Sequence, residues 1–186
     1  MFTRRSITSI LALFVLAACA SQGSAVSSAS LSPVGDPVAS VRDAAGRELG
    51  VLTVSERDGG LLVKGTLRGL PPGTHGIHLH GVGICEPPFT SAGGHWNPPS
   101  VAGKQHGFDN PNGPHAGDMR NILVASDSSV VVNVHTAAGT LRGANGLLDA
   151  DGAAVVVHAA GDDYRTDPAG NSGPRVACGV VRAVGR

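Results

Sequence analysis

The chain has 186 residues, of which 15% are charged, with 14 basic and 14 acidic side chains in balance. That length suffices for one folded domain with one core, and without an excess of Lys and Arg no surface for nucleic acid is expected. Aromatic residues make up only 3% and glycines number 27, which suits short strands and tight turns better than a helical bundle.

Arg4 and Arg5 precede an apolar run over residues 10–20. A membrane span needs roughly 18–20 such residues, so residues 1–18 read as a signal peptide rather than an anchor. The run ends Leu16-Ala17-Ala18-Cys19, which resembles a bacterial lipobox. That resemblance implies cleavage before Cys19 and a lipid on its thiol; a plain secretory signal is the alternative. Residues after Arg4-Arg5 fit a twin-arginine signal poorly. Without the signal, 12 basic residues face 14 acidic ones, a net charge of −2. There are three cysteines. If Cys19 carries lipid, Cys85 and Cys178 are left to pair in an oxidising compartment. Residues 20–36 are rich in Ser, Ala and Gly and read as a flexible tether spanning roughly 20–25 Å. The folded domain is expected at 37–186.

Within that domain, β-branched runs bounded by Gly, Pro and Asp mark strands. They fall at 38–43, 48–56, 61–68, 74–81, 121–126, 130–135, 153–159 and 176–181. Arg57-Asp58-Gly59-Gly60 is a hairpin turn between the second and third. Leu61, Val63, Gly65 and Leu67 share one face of the third. No window sustains a helical period. Eight short strands predict an all-β fold, an antiparallel Greek-key barrel or sandwich. Residues 82–119 form an irregular segment of nearly 40 residues. A loop that long is expected only where it is functional or stapled.

The histidines carry the chemistry. His78 and His80 lie two apart on a strand, so their side chains share a face while Ile77 and Leu79 point to the other. From Cα atoms roughly 6.6 Å apart, two imidazoles can converge on one metal. His158 ends the run Val155-Val156-Val157-His158 and can supply a third nitrogen. His95 begins a loop series through His106 and His115 to Asp118. The spacing of His115 and Asp118 fits a turn around one metal. Imidazoles with one carboxylate suit zinc, and all-imidazole ligation suits Cu(II). Seven side chains fill eight donor positions if one histidine bridges two metals. His135, on a valine-rich strand, reads as an ordinary histidine.

Four stretches are the most specific: His75-Gly76-Ile77-His78-Leu79-His80, Ser91-Ala92-Gly93-Gly94-His95-Trp96-Asn97-Pro98, Gly113-Pro114-His115-Ala116-Gly117-Asp118 and Arg175-Val176-Ala177-Cys178-Gly179-Val180. Together they resemble the exported copper–zinc superoxide dismutases of bacteria, from about residue 38 to 184. The resemblance implies dismutation of superoxide to dioxygen and hydrogen peroxide, with one copper and one zinc per chain. It implies copper on His78, His80, His95 and His158, and zinc on His95, His106, His115 and Asp118. His95 would bridge as imidazolate and carry a proton. Arg175 would receive the anion. Cys85 and Cys178 would form a disulfide. Asp162 would link the two sites through ligand histidines, and His75 would support the site without binding metal. A lipid on Cys19 would hold the protein to a membrane in the cell envelope, periplasmic or at the surface. A homodimer and a monomer both occur among such proteins. Arg120 and Trp96 depart from the usual pattern, and residues 161–173 offer no lysine for steering. The competing function is a copper-binding, chaperone-like module of the same fold, for which Arg175 would have no use.

Overall fold

A computed structural model describes residues 35–184. The expected signal peptide, Cys19 and the tether up to residue 34 lie outside the described residues. Nine strands are present: β1 (Val38–Asp43), β2 (Glu48–Arg57), β3 (Gly60–Arg68), β4 (Gly73–His75), β5 (Ile77–His80), β6 (Ile122–Val124), β7 (Ser129–His135), β8 (Ala154–His158) and β9 (Arg175–Arg182). Seven form one antiparallel sheet in the order β5-β8-β9-β1-β2-β3-β7, and β4 pairs with β6. The β4–β6 ladder joins the two edges of the long sheet, because β4 runs into β5 and β6 turns into β7. The neighbours β9–β1, β3–β7 and β5–β8 are crossovers of Greek-key type. Two short 3-10 turns, Thr90–Ala92 and Pro99–Val101, are the only helical elements among the described residues.

The strand boundaries follow the local chemistry. Asp58 and Gly59 both take positive φ, 50° and 81°, and close a two-residue hairpin in which Arg57 faces Gly60. Primed turns of this kind match the twist of the flanking strands, and Asp-Gly adopts them at little cost. Along β3, Leu61, Val63 and Leu67 are buried and Lys64, Thr66 and Arg68 exposed, the alternation expected of a sheet with one wet face. β8 differs. All five of its residues are buried. Val155 and Val157 enter the main core, while Ala154 and Val156 enter a second cluster with Phe89, Ala92 and Cys178. A strand covered on both faces reads as a continuous apolar run.

The strand count corrects the sequence reading. The single strand expected at 74–81 divides at Gly76. His75 pairs with Ile122 on β6, and Ile77 pairs with Val157 on β8. Gly76 instead donates its N–H to Ala160 O at 2.8 Å and accepts from His158 N at 2.9 Å. A Cβ at Gly76 would lie 3.0 Å from the Ser172 Cβ and 3.3 Å from His78 Cε1. The chain changes sheets here with no room for a side chain. A second irregularity is a bulge in the β8–β9 ladder: Val157 faces Ala177, but His158 faces Arg175. Bulges re-aim side chains, and this one sets His158 directly opposite Arg175.

Candidate metal centre

β5 and β8 lie side by side, and their ends carry His78, His80 and His158 into one buried space. Isolated bridges add the loop: His80 pairs with His95, and His78 with Asp118. Trp96 secures that entry, donating its N–H to Leu79 O at 2.8 Å and accepting from Gly117 N at 2.8 Å. Each of four histidines is oriented through one ring nitrogen. His78 Nε2 lies 2.8 Å from Asp162 Oδ2. His80 Nδ1 lies 3.0 Å from Gly93 O, and His158 Nδ1 lies 3.1 Å from Gly173 O. His95 Nδ1 lies 2.7 Å from Asp118 Oδ1. The opposite nitrogens, His78 Nδ1, His80 Nε2, His95 Nε2 and His158 Nε2, are buried and have no hydrogen-bond partner. Ligand atoms of these four side chains all lie within 4.8 Å of one another. Buried polar atoms normally find partners, so four that converge without one fit a metal ion.

Burial also sets their charge. It lowers the pKa of His78 despite the opposing hydrogen bond with Asp162, and it lowers His80 well below 6.5, helped by the neighbouring His95. Burial brings His95 to about 4 against the pull of Asp118. It brings His158 to about 4 as well, with the charges of His95 and Arg175 adding to the effect. Neutral imidazole is the metal-binding form.

The second group, His95, His106, His115 and Asp118, is built on the loop. Asp118 Oδ1 is ringed by three Nδ1 atoms, at 2.7 Å from His95, 3.1 Å from His106 and 3.5 Å from His115. Its Oδ2 accepts the N–H groups of Gly107 at 2.8 Å and His115 at 2.9 Å. Burial opposes the Asp118 charge, but the rings of His106, His115 and His95 around it hold its carboxyl far below the usual carboxylate range. For His106, burial is likewise outweighed by Asp118 and Asp162, which raise it to about 9. Three imidazole nitrogens around one carboxylate oxygen are a donor set of the kind that suits zinc.

Asp162 joins the groups. Its Oδ2 faces His78 Nε2 and its Oδ1 faces His106 Nε2 at 2.9 Å. The grip on Asp162 comes from Asn121, whose side chain donates to Asp162 O and accepts from Asp162 N, both at 2.9 Å. Gly170, at φ 63°, passes so close that a Cβ there would land on Asp162 Oδ1 and within 2.7 Å of His106 Nε2. Asp167 caps the other side, accepting the His106 N–H at 2.7 Å.

Arg175 lies beside the first group, held by the carbonyls of Phe89 at 2.6 Å and Gly93 at 2.5 Å. Burial lowers its pKa. The Cys85–Cys178 disulfide ties the same segment to β9, with Cα atoms 5.7 Å apart. His75 sits in neither metal group. Its ring nitrogens lie 2.7 Å from His158 O and 2.8 Å from Pro71 O, so it steadies the backbone behind the site. His135 contacts Arg57 O at 2.7 Å and lies apart. Arg120 lies over the rings of Phe108 and Tyr164, at 4.3 and 4.8 Å from their centroids.

Every side chain expected at the two sites is therefore brought to them, and the sequence reading missed the supports. Asn121, Gly170, Asp167, and the carbonyls of Phe89, Gly93 and Gly173 had no signal in the pattern of ligand types, because their roles depend on backbone geometry.

A curled antiparallel β-sheet thus carries two adjacent donor sets that share one histidine, His95. Residues 49–181 match the copper/zinc superoxide dismutase family. The second copper–zinc superoxide dismutase of Aquifex aeolicus is 45% identical over 141 residues, covering 74% of this chain and 81% of that protein. A superoxide dismutase-like protein of Bacillus subtilis aligns in structure with a TM-score of 0.72 at 37% identity, covering 80% of this chain and 99% of that one. The copper/zinc superoxide dismutase of Brucella abortus aligns with a TM-score of 0.62 at 28% identity, over 80% of this chain and all of that one. The chain belongs to the copper/zinc superoxide dismutase family, bacterial type: it is an oxidoreductase that dismutates superoxide and uses copper and zinc.

Proposed function

We propose that His78, His80, His95 and His158 hold copper, that His95, His106, His115 and Asp118 hold zinc, and that Arg175 receives the superoxide anion. The observation that carries this reading is the pairing of four unpartnered buried nitrogens with a carboxylate ringed by three more, His95 giving one nitrogen to each set. Bound copper, changing between two oxidation states, supplies the one-electron steps by which two superoxide anions and two protons become dioxygen and hydrogen peroxide. The chain's own residues supply the rest. His95 would hold and return a proton at Nε2, while its Nδ1 faces the second donor set beside Asp118. Arg175 offers a guanidinium already clamped by two carbonyls, so its fork is oriented before the anion arrives. The surrounding charge is −2 overall without the signal peptide, so attraction of the anion must be local.

The test is metal analysis with a superoxide-removal assay on the same sample. One copper and one zinc per chain are expected, with Arg175→Ile cutting activity severalfold or more while both metals stay bound. Arg175→Lys should fall between the two, since it keeps the charge and loses the fork. A fully active, fully metallated Arg175→Ile variant overturns the arginine assignment. A wild type that binds both metals and never removes superoxide favours the copper-binding alternative.

The same proposal covers location. Export of the domain and a lipid on Cys19 rest on the lipobox-like stretch, and the disulfide fits an oxidising compartment. Cys19→Ser should release the protein from the membrane fraction with unchanged catalytic constants. Unchanged membrane association would count against the lipid.

A further inference from the structure

Between residues 82 and 91 the chain has one buried side chain, Phe89. It is 2% exposed and packs with Ala92, Ala154, Val156 and Cys178, against Cys85, in a cluster separate from the main core. Its backbone is left-handed, at φ 72° and ψ 12°. A bulky residue seldom takes that conformation, and glycine would take it freely. A phenylalanine there makes sense only if its ring is needed. Its carbonyl oxygen accepts Arg175 Nη1 at 2.6 Å. Four residues on, past the 3-10 turn that Phe89 starts, Gly93 O accepts both Arg175 Nη2 and His80 Nδ1. Phe89, with the small Ala92 beside it, thus anchors the short stretch that presents both carbonyls to the guanidinium.

We infer that Phe89 is a positioning residue for Arg175: its ring, wedged between the disulfide and β8, fixes the two carbonyls that aim the guanidinium. The value of that aim rests on the anion-receiving role proposed for Arg175. The disulfide tethers the segment at Cys85, four residues away. The turn has its own backbone bond, Val82 N–H to Ala92 O at 3.1 Å, and the ring adds the apolar seat that holds it against β8.

The experiment compares Phe89→Gly, Phe89→Ala and Phe89→Leu with wild type, all as oxidised, metal-loaded full-length protein. Glycine keeps the left-handed turn without strain, so it reads the side chain alone. Leucine keeps an apolar wedge. The readout is the rate at which phenylglyoxal modifies Arg175, mapped by peptide mass spectrometry, with Arg68, exposed on β3, as internal control. Phe89→Gly and Phe89→Ala should raise the Arg175 rate about tenfold, the scale of releasing one charge-assisted hydrogen bond. Phe89→Leu should stay near wild type, and Arg68 should not change in any variant. An unchanged Arg175 rate in Phe89→Gly overturns the inference. So does a rise that appears when Cys85 and Cys178 are both serine and is missing in Phe89→Gly, because the disulfide would then do the positioning. Azide affinity and superoxide turnover separate the two claims. If the Arg175 rate rises in Phe89→Gly while both of these stay at wild-type values, the positioning stands and the anion-receiving role fails.

Discussion

The two halves of the metal centre are built on opposite principles. His78, His80 and His158 stand at the ends of paired strands, and their inward nitrogens meet no partner. His106, His115 and Asp118 stand on a loop and face one another. The strand-borne group can hold unsatisfied polar atoms because the ladder, the Gly76 switch and the β8 bulge already fix its backbone. The loop-borne group has no ladder, so charge pairing supplies its order. The first half is a set of neutral imidazoles shaped by burial. The second is an ion-pair cluster, with His106 raised to about 9 and Asp118 held far below its usual range. Rigid backbone and mutual charge are two ways to keep ligands in place.

The largest expected contrast comes from deleting one ligand on each side. His158→Ala should bring superoxide removal down to background, and Asp118→Ala should lose zinc yet keep measurable copper-dependent activity. Metal analysis beside the assay reads both, and the reverse pattern would break the comparison. Next is the disulfide, which spans a sequence separation of 93. Reduction should cost roughly 4–5 kcal/mol in denaturant unfolding on the chain-entropy account, with amide exchange quickening in the loop before the strands. Equal stability of oxidised and reduced protein would remove the staple from the argument. Gly170→Ala tests the joint between the halves. It adds a Cβ against Asp162 and His106 at a positive φ, and support of this kind is worth about 10–100-fold in metal affinity. Weakening of both metals is expected; weakening of neither would mean that Asp162 is dispensable.

The smallest effect is a pH dependence of the metal-free protein. His95 and His158 titrate at about 4 when folded, against 6.5 for the free group. The unfolded chain then binds more protons between those values, so stability rises with pH from about 4 to 6.5. His106, raised to about 9, has the opposite sign: its contribution is complete below 6.5 and fades as pH climbs through 9. Denaturant midpoints should therefore peak near neutrality, and His106→Gln should flatten the alkaline limb alone. Loss of the acidic limb in that variant would show that the halves are not electrostatically separate.

What was legible in the sequence was periodic or chemically rare. Alternation placed His78 and His80 on one face and Ile77 and Leu79 on the other, and Asp-Gly located the β2–β3 turn. Six histidines and Asp118 in family order gave the expected donor sets before any geometry. The break at Gly76 was hidden, because the residues on both sides have strand character and only a change of partner divides them. The bulge before His158 was hidden as well, since an extra residue at Val176 leaves the apolar run unchanged. The Asn121 clamp and the Phe89 carbonyl depend on contacts across 41 and 86 positions of chain, and no local window contains them.

Trp96 has an optical consequence. It is the chain's one tryptophan, 4% exposed, and it follows the histidine common to both donor sets. Its ring is locked so tightly that a Cβ at Gly139 would come within 2.6 Å of it. Excited at the red edge of indole absorption, the protein therefore emits from a single buried side chain, next in sequence to that histidine and shielded from water. Copper(II) would dim that light and zinc, closed-shell, would not, so the molecule carries its own lamp for telling the two loadings apart.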